Sequence, residues 1–397
     1  MTSNVNVGKI LNGVVYGLYD KSNAPARTGH LSKLPLFDHP YDVDRIVKDH
    51  TLFRKNFSFI SALGHSRFNS DGDEWATRRD ITQPNYLAAA KPSKQEGICA
   101  TYDMHLANCE ASLPDIQRAL FEASLTIFYS AFHMTPNVGP TVVILDRVRA
   151  ALRRLQFHSW VAPTIAERND AIHDARDIIH EFSRQLLADP RSAAEMKRFA
   201  EAAPDIAGFS PVEEFIMNLF AGVETTVATA SWVIDRLAVN EEVQERIFSE
   251  IAADAADTPL TDCFVSETMR YFPPIPFLIR ETTAETAVGD KALPAGQLVL
   301  LSIVGVHHHP EFWEDPETFD SRRKEFMEDS FDRRAFIPFL TGPRMCGGAR
   351  LGKMEVKEAV RNLVKRFIFR RDDNVIRFDY ALALRPAGGS SVVVSRR

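Results

Sequence analysis

Between Ser210 and Leu237 the apolar residues Phe215, Ile216, Leu219, Phe220 and Val223 recur at helical spacing, and the pattern runs on to Leu237. Ser210-Pro211-Val212-Glu213 opens the run as a helix start: a serine cap, a proline in the first turn and a glutamate at the capping-box position. Roughly 28 residues at 1.5 Å rise reach about 42 Å, enough to cross a domain. The middle of the run breaks helical preference. Ala221-Gly222-Val223-Glu224-Thr225-Thr226 sets a glycine and two threonines mid-helix, each costing a few tenths to about 1 kcal/mol relative to alanine. Glu224 also faces a core. Local rules broken inside an element mark a functional site; the bland alternative is a tolerated kink with a solvated glutamate.

The rest of the chain is of ordinary globular kind. Its 397 residues are 45% hydrophobic and 25% charged, which excludes a disordered tail, a collagen repeat or a small disulfide scaffold. Lys plus Arg is 47 against 53 Asp plus Glu, a net charge of -6 that argues against broad nucleic-acid binding. The four cysteines, Cys99, Cys109, Cys263 and Cys346, form no C-x-x-C pair. That disfavours a zinc ribbon or a thioredoxin-like motif and fits a reducing cytoplasm. Met1–Asp20 lacks the basic-then-apolar pattern of a signal peptide. The longest apolar run, Leu298–Val306, is about half of the roughly 20 residues a spanning helix needs. A soluble, cytoplasmic protein without a membrane anchor is the expectation.

Helix is expected over about 70–270 and 348–367, and strand-rich structure over about 1–60, 275–306 and 375–397. In the second β portion Ile275, Phe277 and Ile279 alternate, and Leu298–Val304 follows the Pro294-Ala295-Gly296 turn. Ser390–Ser395 reads as a terminal strand. The fold class is mainly α with small β-sheets, in a single domain spanning 1–397.

One loop carries the most chemistry. In Phe339-Leu-Thr-Gly342-Pro-Arg344-Met-Cys346-Gly347-Gly348 a cysteine lies between glycines just before a helix. Backbone N–H groups there stabilise a thiolate. Glycines also let a bulky planar group approach the backbone. The pattern F-x-x-G-x-R-x-C-x-G resembles the haem-binding loop of the cytochrome P450 family and matches at every fixed position. The resemblance extends from about residue 64 to the C-terminus. It implies the family fold, with the long helix across the distal haem face and the cysteine loop on the proximal face. It implies a soluble, bacterial-type enzyme binding haem b (iron protoporphyrin IX). Cys346 would be the metal ligand, Phe339 would shield it, Arg344 would bind a propionate and Gly348 would allow close helix approach.

The central run resembles the family's oxygen-activation motif. By that match Ala221 and Gly222 leave room for dioxygen, while Thr225 and Glu224 are the catalytic pair that supplies protons. Trp75 and Arg79 resemble the W-x-x-x-R element that reaches the haem propionates, and Arg280 matches a further propionate position. Glu267-Thr-Met-Arg270, followed by Pro273-Pro274, resembles the family's structural pair. Arg323 would be the third member, although Ser321 replaces a usual proline and adjacent Arg322 competes for the assignment.

Phe215, Ile216, Phe220, Ile275, Phe277, Leu278 and Leu382 are the expected substrate pocket, and they imply a hydrophobic small-molecule substrate. The resemblance implies a monooxygenase that takes electrons from NAD(P)H through a separate partner, a ferredoxin or flavodoxin with its reductase. Arg78, Arg350, Lys353, Lys357 and Arg361 lie in elements expected on the cysteine side, where a basic face suits an acidic partner. Lys353 and Lys357 are the named docking candidates. Two alternatives stand beside this reading: a peroxide-dependent or rearranging haem-thiolate enzyme, and a non-catalytic haem-binding sensor or scaffold. His307-His308-His309 is not expected to bind metal, since consecutive residues in a strand alternate faces.

Overall fold

In this computed structural model the described residues are 2–19, 31, 33–160, 165–253, 258–387 and 392–397. Helices α1 (Thr2–Tyr19) and α2 (Pro40–Lys48) open the chain. They are followed by α3 (Gly72–Ala89), α4 (Gln95–Ala107), α5 (Leu113–Ala131), α6 (Val138–Trp160), α7 (Ile165–Leu187) and α8 (Pro190–Glu201). Next come α9 (Pro211–Ala238), α10 (Glu241–Ala252) and α11 (Pro259–Tyr271). Short helices α12 (Ile303–His307) and α13 (Lys324–Met327) precede α14 (Ala349–Arg366).

A four-stranded sheet runs in the order β1-β6-β3-β2. Its strands are β1 (Leu36–Phe37), β2 (Phe53–Lys55), β3 (Phe277–Thr282) and β6 (Leu298–Ser302). β4 (Thr286–Val288) and β5 (Lys291–Leu293) form a hairpin. β7 (Phe367–Arg370) pairs with β10 (Val393–Arg396), and β8 (Phe378–Ala381) pairs with β9 (Ala383–Pro386). Ser390 and Ser391 of the expected terminal strand lie outside the described residues.

The central run folds as α9, buried along most of its length and packed by α5, α11, α14 and β9. Ser210 caps it, its hydroxyl accepting from the Glu213 N–H at 3.3 Å. Glu213 does not close the capping box. Its carboxylate instead accepts from the His65 N–H at 2.8 Å, fastening the segment that leads into α3.

Three expectations are corrected. Among the described residues the stretch 1–60 is not strand-rich: α1 and α2 dominate it. Leu11, Val14, Val15 and Leu18, all buried, keep the three-and-four spacing of a helix face. The strand from Leu298 ends at Ser302, whose hydroxyl accepts from the Gly305 N–H at 2.9 Å and caps α12. The histidine run therefore leaves a helix rather than a strand. His307 accepts from the Ile337 N–H through Nε2, so its Nδ1–H donates to the Arg270 carbonyl. Burial holds it down at about 3, hence neutral.

Most helices share one large core that reaches from Leu11 to Leu384, while a second core of Phe37, Val47, Leu278, Val299 and Leu301 lies against the sheet. In the antiparallel register of β2 and β3, Lys55 stands opposite Arg280. Two cations directly opposite each other on neighbouring strands are unfavourable. The fold thus places positive charge where it has no sheet partner to neutralise it.

Candidate cofactor and active site

Along α9 the residues from Val212 to Ala238 are buried apart from Glu213, Ala221, Gly222 and Thr225. Ala221, Gly222 and Thr225 share one face by their spacing. Accessible surface in the middle of a core helix means an interior gap. Small residues line it: a Cβ added to Gly222 would come within 3.0 Å of the Phe128 ring. Phe128 meets Tyr86 edge-on at 6.2 Å, and Tyr86 lies 3.8 Å from where a Gly348 Cβ would sit. These two rings connect the small-residue face of α9 to the cysteine loop.

The loop is held by its backbone. The Cys346 N–H donates to the Phe339 carbonyl at 2.9 Å, and Gly342 turns the chain at φ 73°. Gln83 donates to the Gly347 carbonyl at 2.9 Å. A Cβ at 347 would come within 2.6 Å of the Gln83 side-chain oxygen and 3.0 Å of the Arg67 guanidinium, so those two side-chain ends would have to shift to admit it. Cys346 is exposed. Desolvation by the surrounding protein nevertheless pushes its thiol up, opposed by the Gly348 N–H and by Arg67 and Lys55. Burial thus outweighs the backbone dipoles expected to favour a thiolate.

Beside the loop stands a cluster of cations. Arg280 is 2% exposed; its Nη1 bonds only its neighbour's carbonyl, Ile279 O, and its Nη2 has no partner. Burial, with Arg344 nearby, lowers Arg280 to about 10. Lys55 is held well below its ordinary value by burial, then by Arg280, Arg344 and Arg67. Arg344 bonds the Ser70 carbonyl at 3.0 Å and the Asp71 carboxylate, and its Nε is unpartnered. It also lies 4.1 Å over the Trp75 ring. Asp71 is the carboxylate that answers Lys55, Arg280 and Arg344. Buried cations need anionic partners. The site therefore fits a planar group that brings two carboxylates, and the propionates of haem meet that description.

Arg79 does not join the cluster. It is exposed, pairs with Asp80 at 3.8 Å and touches Trp75 from 5.8 Å. Arg78, expected on the docking face, is buried and bonded to Glu214 at 3.0 Å. Glu214 also accepts from the Arg67 N–H at 3.0 Å and from Asn218 at 2.8 Å. That network holds Arg67 against the loop. Sequence reasoning missed Lys55, Arg67 and Glu214. The register of Lys55 opposite Arg280 was the available signal, and it needs the sheet to be seen.

Glu224 is 1% exposed and points to a different set of partners from those of the Thr225 face. Arg149 reaches it through Nη2 at 2.6 Å and Nε at 3.2 Å, and Arg385 bonds it from β9. Both arginines lie in stretches without a motif. The Thr225 hydroxyl donates to the Ala221 carbonyl at 2.9 Å, and the residue keeps some accessible surface.

Glu267 bonds Arg270 at 2.7 and 2.9 Å and Arg323 at 2.8 Å, all three buried. The Asp320 N–H donates to the same carboxylate at 2.9 Å. It is Arg323, not Arg322, that turns inward. Of the expected pocket residues, Ile275 and Leu382 keep accessible surface. Phe215 lies in an aromatic cluster with Phe128, Tyr129, Phe132 and Phe182. Ile216, Phe220 and Phe277 are buried in the main core and Leu278 in the second core. These five are packed into the two cores.

The cytochrome P450 family model matches residues 39–390. Rat cytochrome P450 4X1 is 35% identical over 263 residues, 58% of this chain and 52% of the relative. Rat cytochrome P450 4F5 is 33% identical over 384 residues, 82% of this chain and 73% of the relative. The chain thus spans about half the length of the first of these relatives. A zebrafish cytochrome P450 solved with abiraterone superposes with a TM-score of 0.71 at 20% identity, covering 91% of this chain and 93% of that one. With the cysteine loop, the central helix and the fold in place, the chain belongs to the cytochrome P450 family.

Proposed function

We propose that the protein is a haem-thiolate monooxygenase that inserts one oxygen atom from dioxygen into a hydrophobic small molecule. The observation that carries this reading is the under-neutralised cation cluster beside Cys346, bordering the gap along α9. Cys346 would hold the haem iron, with Arg280, Arg344 and Lys55 on the propionates and Trp75 packed under Arg344. When bound, haem supplies dioxygen activation, helped by a thiolate ligand that favours O–O cleavage. Thr225 presents a hydroxyl to the gap, and Glu224 is the nearest acid along the helix, reached through Arg149 and Arg385. Ile275 and Leu382 offer apolar surface to the substrate. Retention of Glu224 and Thr225 favours the dioxygen-using reading over a peroxide-dependent enzyme or a passive haem carrier.

Electrons would come from NAD(P)H by way of a ferredoxin or flavodoxin. A groove on the cysteine side is lined by Phe336, Phe339, Met345 and Lys353. Lys353 lies over the Phe339 ring, whereas Lys357 is paired with Asp262 at 2.9 Å. Lys353 is therefore the stronger docking residue. Among the described residues no helix is long and apolar enough to cross a membrane. The four free cysteines suit a reducing, cytoplasmic setting.

The test is the absorption spectrum of purified protein, reduced and exposed to carbon monoxide. A strongly red-shifted Soret band that disappears in Cys346→Ala supports the proposal. An ordinary haem–carbonyl band in folded protein, or no haem at all, overturns it.

A further inference from the structure

Away from the cofactor site, His39, His309 and Glu311 place one ligand atom each within 4.8 Å of one another. His39 Nε2 lies 3.5 Å from Glu311 Oε2, and the two imidazoles meet edge-on with centroids 4.8 Å apart. The arrangement is built by the fold. His39 caps α2, and His309 and Glu311 sit in a turn closed by the Phe312 and Trp313 N–H groups on the His309 carbonyl at 3.0 and 3.2 Å. Phe312 backs both imidazoles, at 5.8 Å from His39 and 5.4 Å from His309.

We propose that His39, His309 and Glu311 form a surface site for a borderline divalent transition cation, with Zn²⁺ as its probe. Two imidazoles and one carboxylate make a three-ligand set that leaves a fourth position for water. Nitrogen ligands of this kind select transition metals over Mg²⁺ and Ca²⁺, which prefer all-oxygen shells. Each Nδ1 now accepts one long amide bond, from Tyr41 to His39 and from Glu311 to His309, both at 3.3 Å. Taking up an ion at the ring nitrogens exchanges these long bonds, the His39 contact at the start of α2 among them, for metal bonds. The ion would tie the start of α2 to the turn after α12, elements far apart in sequence. Binding to the native state alone raises stability.

The experiment uses haem-loaded, tag-free protein, so that Cys346 is already occupied. Calorimetric titration with ZnCl₂ is paired with thermal unfolding, and CaCl₂ and MgCl₂ serve as controls. One Zn²⁺ equivalent and a raised unfolding midpoint are expected. His309→Ala and the exposed-site variant Glu311→Gln should each weaken binding by about tenfold or more, the scale at which even outer-shell losses act. No saturable Zn²⁺ uptake, uptake unchanged in both variants, or equal response to Ca²⁺ overturns the site.

Discussion

Glu224 of α9 and Arg149 of α6 meet in a two-pronged pair, Oε1 to Nη2 at 2.6 Å and Oε2 to Nε at 3.2 Å. Arg385 completes the clamp from β9. Burial alone would lower Arg149, but Glu224 and Asp146 outweigh it and raise that guanidinium. The acid of the central motif is therefore anchored by charge, and under the proposed function any proton it delivers would pass through this clamp. Glu224→Gln is expected to lower dioxygen-driven kcat on the order of a hundredfold, with haem content intact and a changed solvent deuterium isotope effect. An unchanged kcat and isotope effect would remove Glu224 from proton delivery.

The Glu267 carboxylate stands between two buried guanidinium groups that share it. Removing it strands both charges away from water. Glu267→Ala should destabilise the protein by about 3–5 kcal/mol, the usual cost of breaking a buried pair from one side. Denaturant unfolding followed by far-ultraviolet circular dichroism measures it. A loss below about 1 kcal/mol would match an exposed pair instead.

Arg280 carries an unpartnered Nη2 in a buried position opposite Lys55. Its substitution should act with opposite sign in the two forms of the protein. Arg280→Met removes an unmet donor whose burial costs roughly 1–3 kcal/mol, so the haem-free protein should melt higher. The same change should speed transfer of haem to an acceptor protein. Slower or unchanged haem loss would show that the cluster does not hold the cofactor's carboxylates.

On α14, Glu355 is buried against Tyr102 and Ser124, its Oε2 accepting from the Ser124 hydroxyl at 2.9 Å. Burial pushes it from 4.5 up to about 8, with Ser124 and Tyr102 opposing. Between those values the native chain keeps a proton that the unfolded chain has released. Stability contributed by this group therefore falls as pH rises from about 4.5 to 8. Glu355→Gln should flatten that slope and stabilise the protein at pH 8 by on the order of a few kcal/mol. Unfolding free energies across the pH range, with the same slope in both proteins, would contradict this.

Local pattern was enough for part of this protein. The extent of α9, the Ser210 cap, the stop of α11 at Tyr271 and the helix after Gly348 follow from spacing, capping residues and proline, which act over a few residues of chain. The cysteine loop was legible because its residues are contiguous and chemically specific. Tertiary structure decided what depends on distant partners. Arg78 and Arg79 are neighbours in sequence, yet one is buried on Glu214 and the other exposed beside Asp80. Arg149 and Arg385 gain meaning only when α6 and β9 converge on Glu224. Lys55 joins Arg280 through strand register, and Phe215 becomes core because four other rings close over it. Burial and charge pairing are properties of the packed chain. Sequence by itself therefore names the chemistry of the loop, while the fold chooses which cations, acids and apolar groups share its space.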